Sequence, residues 1–85
     1  MNRWMKVSVL LFAAAREVVG KEAVELQLAD DATIAAAKSA LLHAHPALAA
    51  RAANLLWAVN NEYAVDTRVL NTTDVIACFP PVSGG

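Results

Sequence analysis

The chain has 85 residues, which is enough for one small domain with a thin core and too few for a deep active site built from many residues. Its seven basic and eight acidic side chains give a net charge of −1 and are scattered, so the chain lacks the clustered positive charge that nucleic acid or an anionic membrane requires. Apolar residues make up 58% of the chain, but nineteen of them are alanine, and the core is less bulky than that fraction suggests.

The N-terminal segment has two interpretations. Arg3 and Lys6 with the run VSVLLFAAA could pass for a weak signal peptide ending near Ala15. We favour a buried first strand over residues 4–12, because cleavage there would remove the best strand candidate and leave too little core. The side chains expected to face the core are Met5, Val7, Val9 and Leu11. No apolar run reaches the ~18 residues of a membrane span.

The next segments predict a short helical turn and a second strand. AAAREVVG forms the turn, closed by Gly20, because glycine most easily takes the left-handed conformation that ends a helix. EAVELQL alternates apolar and polar residues, which predicts a strand with one buried face made by Val24, Leu26 and Leu28.

One main helix follows. Thr33 can cap its start, and Pro46 interrupts it, so the regular helix is predicted to end near Ala44, with a loose turn to about Ala53. Apolar side chains recur at helical spacing at Ile34, Ala37, Leu41 and Leu48.

The last third predicts three more strands. NLLWAVN and EYAV flank Asn60–Asn61, and asparagine tolerates the positive φ of a tight hairpin turn. After the polar turn LNTT, DVIACF is the last strand, which Pro80–Pro81 ends because proline has no N–H for the sheet. The order β-β-α-β-β-β gives a two-layer α+β domain over residues 1–79 and an extended tail over residues 80–85.

Few side chains suggest chemistry. Three glycines, two of them at the end, exclude Gly-rich nucleotide-binding loops. His43 and His45 are expected to be solvated residues on different faces of a helix end, without the partners of a metal site. The single Cys78 excludes an internal disulfide, fits a reducing cytoplasm, and is expected to be a small core residue rather than a persulfide-carrying or catalytic one. Arg16 and Glu17 are interpreted as a surface ion pair.

The segment FPPVSGG is the strongest functional candidate. Its prolines stiffen the base, and its glycines lack Cβ, so backbone can enter a site too narrow for a side chain. Six residues beyond Phe79 extend at most about 20 Å, which is enough to reach well inside a partner. The residues expected to enter the partner are Pro80, Pro81, Val82, Ser83 and Gly84.

The reactive group that this tail delivers is the α-carboxylate of Gly85. A carboxylate is a poor electrophile until it carries a leaving group, so a partner must activate it, and adenylation with ATP would do so. Phe79 and Val82 are candidates for contact with the partner.

Three segments resemble, in order and spacing, the sulfur-carrier subunits of molybdopterin synthase, the MoaD-type family: FAAAREVVG, AVNNEYAV and DVIACFPPVSGG. The first resembles the family's F-A-x-x-R-E-x-x-G, and the last matches F-P-P-V-[S/T]-G-G residue for residue. Thiamine-pathway sulfur carriers share the Gly-Gly but generally lack the Pro-Pro-Val before it. One departure is the turn NTTDV, which keeps Asp74 of an acidic turn and has Val75 where an acid is common, so a charge contact with a partner at this point is in doubt.

The resemblance implies a ubiquitin-like β-grasp fold, with a mixed sheet, one main helix packed on one face, and a flexible C-terminal tail. It implies that an adenylyltransferase related to ubiquitin-activating enzymes uses ATP with Mg to adenylate Gly85. A sulfurtransferase or cysteine desulfurase then supplies sulfur for a thiocarboxylate. The large subunit takes in the tail and transfers the sulfur to cyclic pyranopterin monophosphate, which builds the molybdopterin dithiolene in molybdenum cofactor biosynthesis.

The resemblance also implies a cytoplasmic heterotetramer with the large subunit. The chain is expected to bind no cofactor or metal itself and to be no enzyme alone, with the catalytic side chains on the large subunit. Three alternatives stay open: a ubiquitin-like modifier joined to lysines through Gly85, a thiamine-pathway-type sulfur carrier, and a binding module with an incidental Gly-Gly tail. Higher-mass conjugates would indicate a modifier, and tolerance of tail truncation would indicate a binding module.

Overall fold

The computed structural model describes residues 3–81, and for Ala52 the backbone alone. Its elements, in chain order, are β1 (Trp4–Leu11), α1 (Ala13–Val19), β2 (Ala23–Ala29), α2 (Ile34–Ala44), a 3-10 segment (Pro46–Asn54), β3 (Leu56–Val59), β4 (Glu62–Tyr63) and β5 (Val75–Phe79). The strands form one sheet in the order β2-β1-β5-β3-β4. β1 and β5 run parallel, and the other neighbours are antiparallel. This is the topology of the β-grasp fold, and it confirms the predicted α+β class with a mixed sheet.

The N-terminal segment forms an inner strand. β1 pairs with β2 over seven residues on one side and with the first four positions of β5 on the other. Val7, Val9 and Leu11 are buried, which confirms the strand interpretation of this apolar run. Among the described residues, neither helix has the length and hydropathy of a transmembrane helix.

One face of the sheet is covered and forms the core. Because side chains alternate along a strand, every second residue of β1, β2 and β5 points toward α2. Burial of a large apolar side chain contributes about 1.5–3 kcal/mol, so this covered face supplies most of the stability of the domain. Its main members are Val7, Val9, Leu11, Val24, Leu26, Leu28, Ile34, Ala37, Leu41, Leu48, Trp57, Val59, Ile76 and Cys78.

The ends of the elements follow the predicted local signals. The Thr33 hydroxyl oxygen accepts a hydrogen bond from the N–H of Ala36 at 3.4 Å and caps α2. Gly20 closes α1 with φ of 83°, and its N–H donates to the carbonyl of Arg16 at 2.7 Å. Asn60 and Asn61 have φ of 53° and 71° in the two-residue turn between β3 and β4, which confirms the predicted hairpin turn.

Three local predictions were wrong. The expected loose turn after α2 is a 3-10 segment, in which Leu48 is buried against the core. The strand EYAV is shorter than expected, because only Glu62–Tyr63 pairs with β3. Arg16 forms its ion pair with Glu22 at 3.8 Å and not with Glu17, since adjacent helix residues do not face each other.

Candidate functional site

The second face of the sheet is not covered by α2. Ile76 and Cys78 point into the core, so Val75, Ala77 and Phe79 of β5 point to this open side. The register places Ala58 opposite both Ala77 and Tyr63, which brings three neighbouring strands together with only apolar or aromatic groups outward. Tyr63 is 76% exposed and Val75 is 53% exposed.

The end of β1 and the residue that follows it extend this surface. Leu10 is paired with Ala77, and the N–H of Phe12 donates to the carbonyl of Cys78 at 3.2 Å. Phe12 is 46% exposed. The rings of Tyr63 of β4 and Phe79 of β5 lie with centroids 6.0 Å apart and planes tilted by 47°, an aromatic contact over the strand β3 that separates them.

Together these residues enclose a shallow depression of about 400 Å³, which we call the open apolar face. Its lining holds no charged side chain, and apart from one asparagine it is apolar or aromatic. A contiguous exposed patch of this kind is typical of interaction surfaces and ligand-binding grooves, which makes it the candidate functional surface of the domain. The lining residues are Leu10, Phe12, Ala58, Asn61, Tyr63, Val75, Ala77 and Phe79.

The other half of the same side of the sheet is polar. Lys6 and Ser8 of β1 are paired with Gln27 and Glu25 of β2, and all four side chains are exposed. Most of the apolar character of this side therefore lies on β5, β3, β4 and the end of β1, and the exposed Trp4 at the start of β1 is an exception in the polar half. The predicted tail leaves the domain from the end of β5, the central strand, in this apolar half.

The base of the tail lies beside the open apolar face. Phe79 ends β5 and is half-buried, Pro80 is half-buried, and Pro81 is exposed. The predicted tail residues Val82, Ser83, Gly84 and Gly85 lie outside the described residues. The functional roles expected of Gly85, of the tail residues and of the contact residues Phe79 and Val82 therefore stay predictions.

Sequence reasoning named Phe79 on this surface and missed Phe12, Tyr63 and Val75. The pattern of the last strand could have indicated Val75 directly, and with it the surface to which Phe12 and Tyr63 belong. The outward positions of β2 include Glu25 and Gln27, whereas the outward positions of β5 are all apolar. A strand that is apolar on both faces, in a sheet with only one main helix, indicates a second covered surface.

Asp74, the acidic residue of the turn before β5, makes hydrogen bonds within the domain. Asp74 is 9% exposed, and its carboxylate accepts hydrogen bonds from the backbone N–H of Asn71 at 2.8 Å and from the side-chain amide of Asn60 at 2.9 Å. The Asn71 N–H holds the pKa of Asp74 below its ordinary value; burial opposes this shift, and Asn60 and the charge of Arg68 support it. Asp74 is thus engaged within the domain, and the neighbouring position on the open apolar face is held by the uncharged Val75.

The remaining chemical candidates lie elsewhere. Cys78 is fully buried, and burial raises the pKa of its thiol to about 11 against a smaller opposing effect of Lys38, so it is a core residue as predicted and poorly suited to nucleophilic chemistry. His43 is exposed and His45 half-buried at the end of α2. Within residues 3–81, no three His, Cys, Asp or Glu side chains are grouped in a way that could hold a metal ion.

Comparisons with known proteins identify the family to which this sequence belongs. The model of the ThiS family matches residues 9–85. The molybdopterin synthase sulfur carrier subunit of Chlamydomonas reinhardtii is 36% identical over 83 residues, which cover 95% of this chain and 100% of that protein.

Solved structures show the same fold. The small archaeal modifier protein 1 of Haloferax volcanii superposes with a TM-score of 0.85 at 32% identity, over 92% of this chain and 99% of that one. One chain of the complex of subunits 1 and 2 of the molybdopterin-converting factor from Helicobacter pylori gives a TM-score of 0.69 at 23% identity, over 95% of this chain and 100% of that one, and at that identity shows the fold alone. With its ubiquitin-like β-grasp sheet and a family match over most of its length, the chain belongs to the ThiS family and is similar to the sulfur carrier subunits of molybdopterin synthase.

Proposed function

We propose that this protein is the sulfur-carrier subunit of a molybdopterin synthase. The observation that carries the proposal is the open apolar face, which has no charged lining and adjoins the base of a Pro-Pro-Val-Ser-Gly-Gly tail. The similarity to a named sulfur carrier subunit over 95% of the chain supports this function. The family match, which extends to residue 85, supports a place for the tail in it.

The chemistry proceeds at the end of the tail. The Gly85 carboxylate attacks the α-phosphorus of ATP on a partner adenylyltransferase, which gives an acyl-adenylate and releases pyrophosphate. The terminal sulfur of a persulfide, formed by a sulfurtransferase or cysteine desulfurase, then attacks the carbonyl carbon and expels AMP. A second thiol attacks the enzyme sulfur of the resulting acyl disulfide, which forms a new disulfide with the enzyme and releases the thiocarboxylate. Mg and ATP are used by the activating enzyme in this scheme and not by the carrier.

Sulfur transfer takes place on the large subunit. The thiocarboxylate sulfur forms a bond to a carbon of cyclic pyranopterin monophosphate and displaces an oxygen leaving group. Water then cleaves the acyl–sulfur bond, which returns the Gly85 carboxylate and leaves the sulfur on the pterin. The dithiolene holds two sulfur atoms, so two charged carriers act in succession. The carrier supplies the sulfur and its placement, and the large subunit supplies the catalytic side chains.

Docking uses the open apolar face. Phe12, Tyr63 and Phe79 are aromatic groups exposed beside the tail, and burying such groups against a partner releases ordered water at a small cost in side-chain freedom. A partner seated there holds the base of the tail at Pro80–Pro81 and leaves the residues beyond free to reach inward. The similarity to a protein named as a subunit of molybdopterin synthase supports another subunit of that enzyme as this partner, and the assembly we propose is a cytoplasmic heterotetramer with the large subunit.

The test is the intact mass of the chain after incubation with ATP, a candidate activating enzyme and a sulfur donor. We expect a gain equal to the mass difference between sulfur and oxygen, located on Gly85 by fragmentation and reversed by the large subunit with the pterin precursor. Deleting Gly85 or adding one residue after it should abolish the gain while the domain still folds, and Glu25→Ala on the polar half of the sheet should leave it unchanged. Sulfur transfer by a chain with a blocked terminus would contradict the proposal.

A protein modifier is the second candidate, and the likeness to the small archaeal modifier protein 1 favours it. Here the activated Gly85 carbonyl is attacked by a lysine amine of another protein, which forms an isopeptide bond and expels AMP. Cell extract probed for the chain would then show higher-mass conjugates that disappear when Gly85 is deleted. A dedicated carrier would migrate free or with its large subunit.

A further inference from the structure

The turn between β3 and β4 is tied to the start of β5 by one side chain. The N–H of Asn60 donates to the carbonyl of Val75 at 2.8 Å, and the side-chain oxygen of Asn60 accepts from the N–H of Val75 at 2.9 Å. These two bonds extend the antiparallel β3–β5 pairing one residue beyond the last backbone pair, Val59 with Ile76. The side-chain oxygen of Asn60 thus accepts the hydrogen bond from the Val75 N–H that the backbone carbonyl of residue 60 would accept in a regular antiparallel pair.

The remaining group of Asn60 completes the tie. Its side-chain N–H donates to one carboxylate oxygen of Asp74 at 2.9 Å, and the other oxygen accepts from the backbone N–H of Asn71 at 2.8 Å. The side-chain amide of Asn60 and the carboxylate of Asp74 therefore each have both ends engaged. A positive φ at residue 60 requires only a glycine or an asparagine, so these hydrogen bonds go beyond what the turn itself demands.

The tie lies at the short end of a hairpin, whose longer strand β3 is already paired with β5 and whose chain after β4 is held by the bond from the N–H of Ala64 to the carbonyl of Trp57 at 3.0 Å. β4 consists of two residues, and both are exposed. Tyr63 reaches the open apolar face only if the β3–β4 hairpin lies against β5, where its ring meets that of Phe79. A two-residue strand has few hydrogen bonds to fix this position, and the Asn60–Asp74 tie joins the turn of that hairpin to the strand that carries Phe79.

We propose that Asn60 and Asp74 are positioning residues that hold Tyr63 against Phe79, so that the open apolar face is formed before the large subunit arrives. The inference rests on the proposed function for the identity of the partner, whereas the ring contact is a property of the isolated chain. Order that exists before association lowers the entropy lost on binding, so loss of the tie weakens binding without changing the chemistry at Gly85.

The test is a cycle of three variants, Asn60→Asp, Asp74→Asn and the double variant N60D/D74N. N60D tolerates the positive φ but sets two carboxylates together with no donor between them. In D74N the new side-chain N–H faces either the side-chain N–H of Asn60 or the backbone N–H of Asn71, so two donors meet without an acceptor. The double variant exchanges the carboxylate and the amide, so all four hydrogen bonds can form again. Thr73→Ala, an exposed position in the same turn, is the matched control.

Two readouts are used, at a temperature where circular dichroism shows every variant folded. The first is the nuclear Overhauser contact between the rings of Tyr63 and Phe79. The second is sulfur transfer as a function of large-subunit concentration. We expect each single variant to weaken the ring contact and to raise the half-saturating concentration about fivefold or more, with the rate at saturation unchanged, and the double variant to restore both.

The outcomes separate this inference from the proposed function. Single variants that lose stability but keep the ring contact and the half-saturating concentration would show a merely structural tie and overturn the inference. Equal defects in the single and double variants would also overturn it. If the native chain neither binds the large subunit nor transfers sulfur, the proposed function fails, and the ring contact still decides whether Asn60 and Asp74 position Tyr63.

Discussion

The two faces of the sheet are built from similar residues and serve different purposes. On the covered face, side chains such as Val9, Leu41 and Ile76 are fully buried against α2. On the other face, Tyr63 and Val75 are equally apolar in kind and more than half exposed. Burial on the first face occurs during folding, and on the second, under the proposed function, it occurs when a partner binds. The comparison teaches that apolar character locates both the core and the proposed docking surface, and that coverage by a helix distinguishes them.

The largest expected effect concerns Cys78 on the covered face. Its thiol is fully buried and its pKa is raised to about 11, so at pH 8 it is protonated and shielded. If reaction requires global unfolding of about 5 kcal/mol or more, alkylation should be slower than in the urea-unfolded chain by more than about 10³-fold. Mass spectrometry after timed alkylation measures both rates. Rapid labelling of folded protein would show that this face is not closed.

Truncation on the covered face should come next. Leu41→Ala removes a fully buried side chain from the middle of α2 and should cost about 2–5 kcal/mol of unfolding free energy. Urea unfolding followed by circular dichroism gives this value, with the exposed Ser39→Ala on the same helix as the control. A loss below about 1 kcal/mol would mean that α2 does not seal this face tightly.

The open apolar face should show the reverse pattern. Tyr63→Ser removes the most exposed aromatic group, so the free energy of unfolding should change by less than about 1 kcal/mol, while the Kd for the large subunit should rise at least about tenfold. Titration calorimetry measures the Kd, and Gln27→Ala on the polar half of the same side serves as the control. Equal affinities for both variants would remove the open apolar face from the account.

The smallest expected effect is the acid sensitivity of the turn before β5. Because hydrogen bonds from Asn71 and Asn60, together with the charge of Arg68, hold the pKa of Asp74 low, this group stabilises the fold above the unfolded carboxyl pKa of about 4. That contribution is lost as the pH falls through the lower folded value. Urea midpoints recorded from pH 6 downward should therefore fall more steeply for the native chain than for D74N. Parallel curves would show that the Asp74 carboxylate is not stabilised by its partners.

Local patterns in the sequence predicted most of the fold. The alternation in β2, the capping Thr33, the closing Gly20 and the Asn60–Asn61 turn all depend on neighbours within a few residues, and each was placed correctly. The family resemblance added the mixed sheet, which local patterns alone do not determine.

The missed features depend on contacts between distant parts of the chain. Tyr63 lies on the open apolar face because β4 pairs with β3 in one register, and the Asn60–Asp74 tie joins groups fourteen residues apart. Arg16 meets Glu22 only because the chain turns back at Gly20. Such partners follow from the assembled sheet, and no short segment of the sequence contains them.

The central claim is that the open apolar face delivers the tail for sulfur transfer. The most direct test follows the intact mass of thiocarboxylated chain mixed with the large subunit and the pterin precursor, for the native protein and for Tyr63→Ser at equal concentration. The account predicts that the native chain loses its sulfur and returns to the carboxylate, whereas the variant stays charged until the large subunit is raised about tenfold or more. Equal rates of sulfur loss at a large-subunit concentration well below saturation would contradict the account.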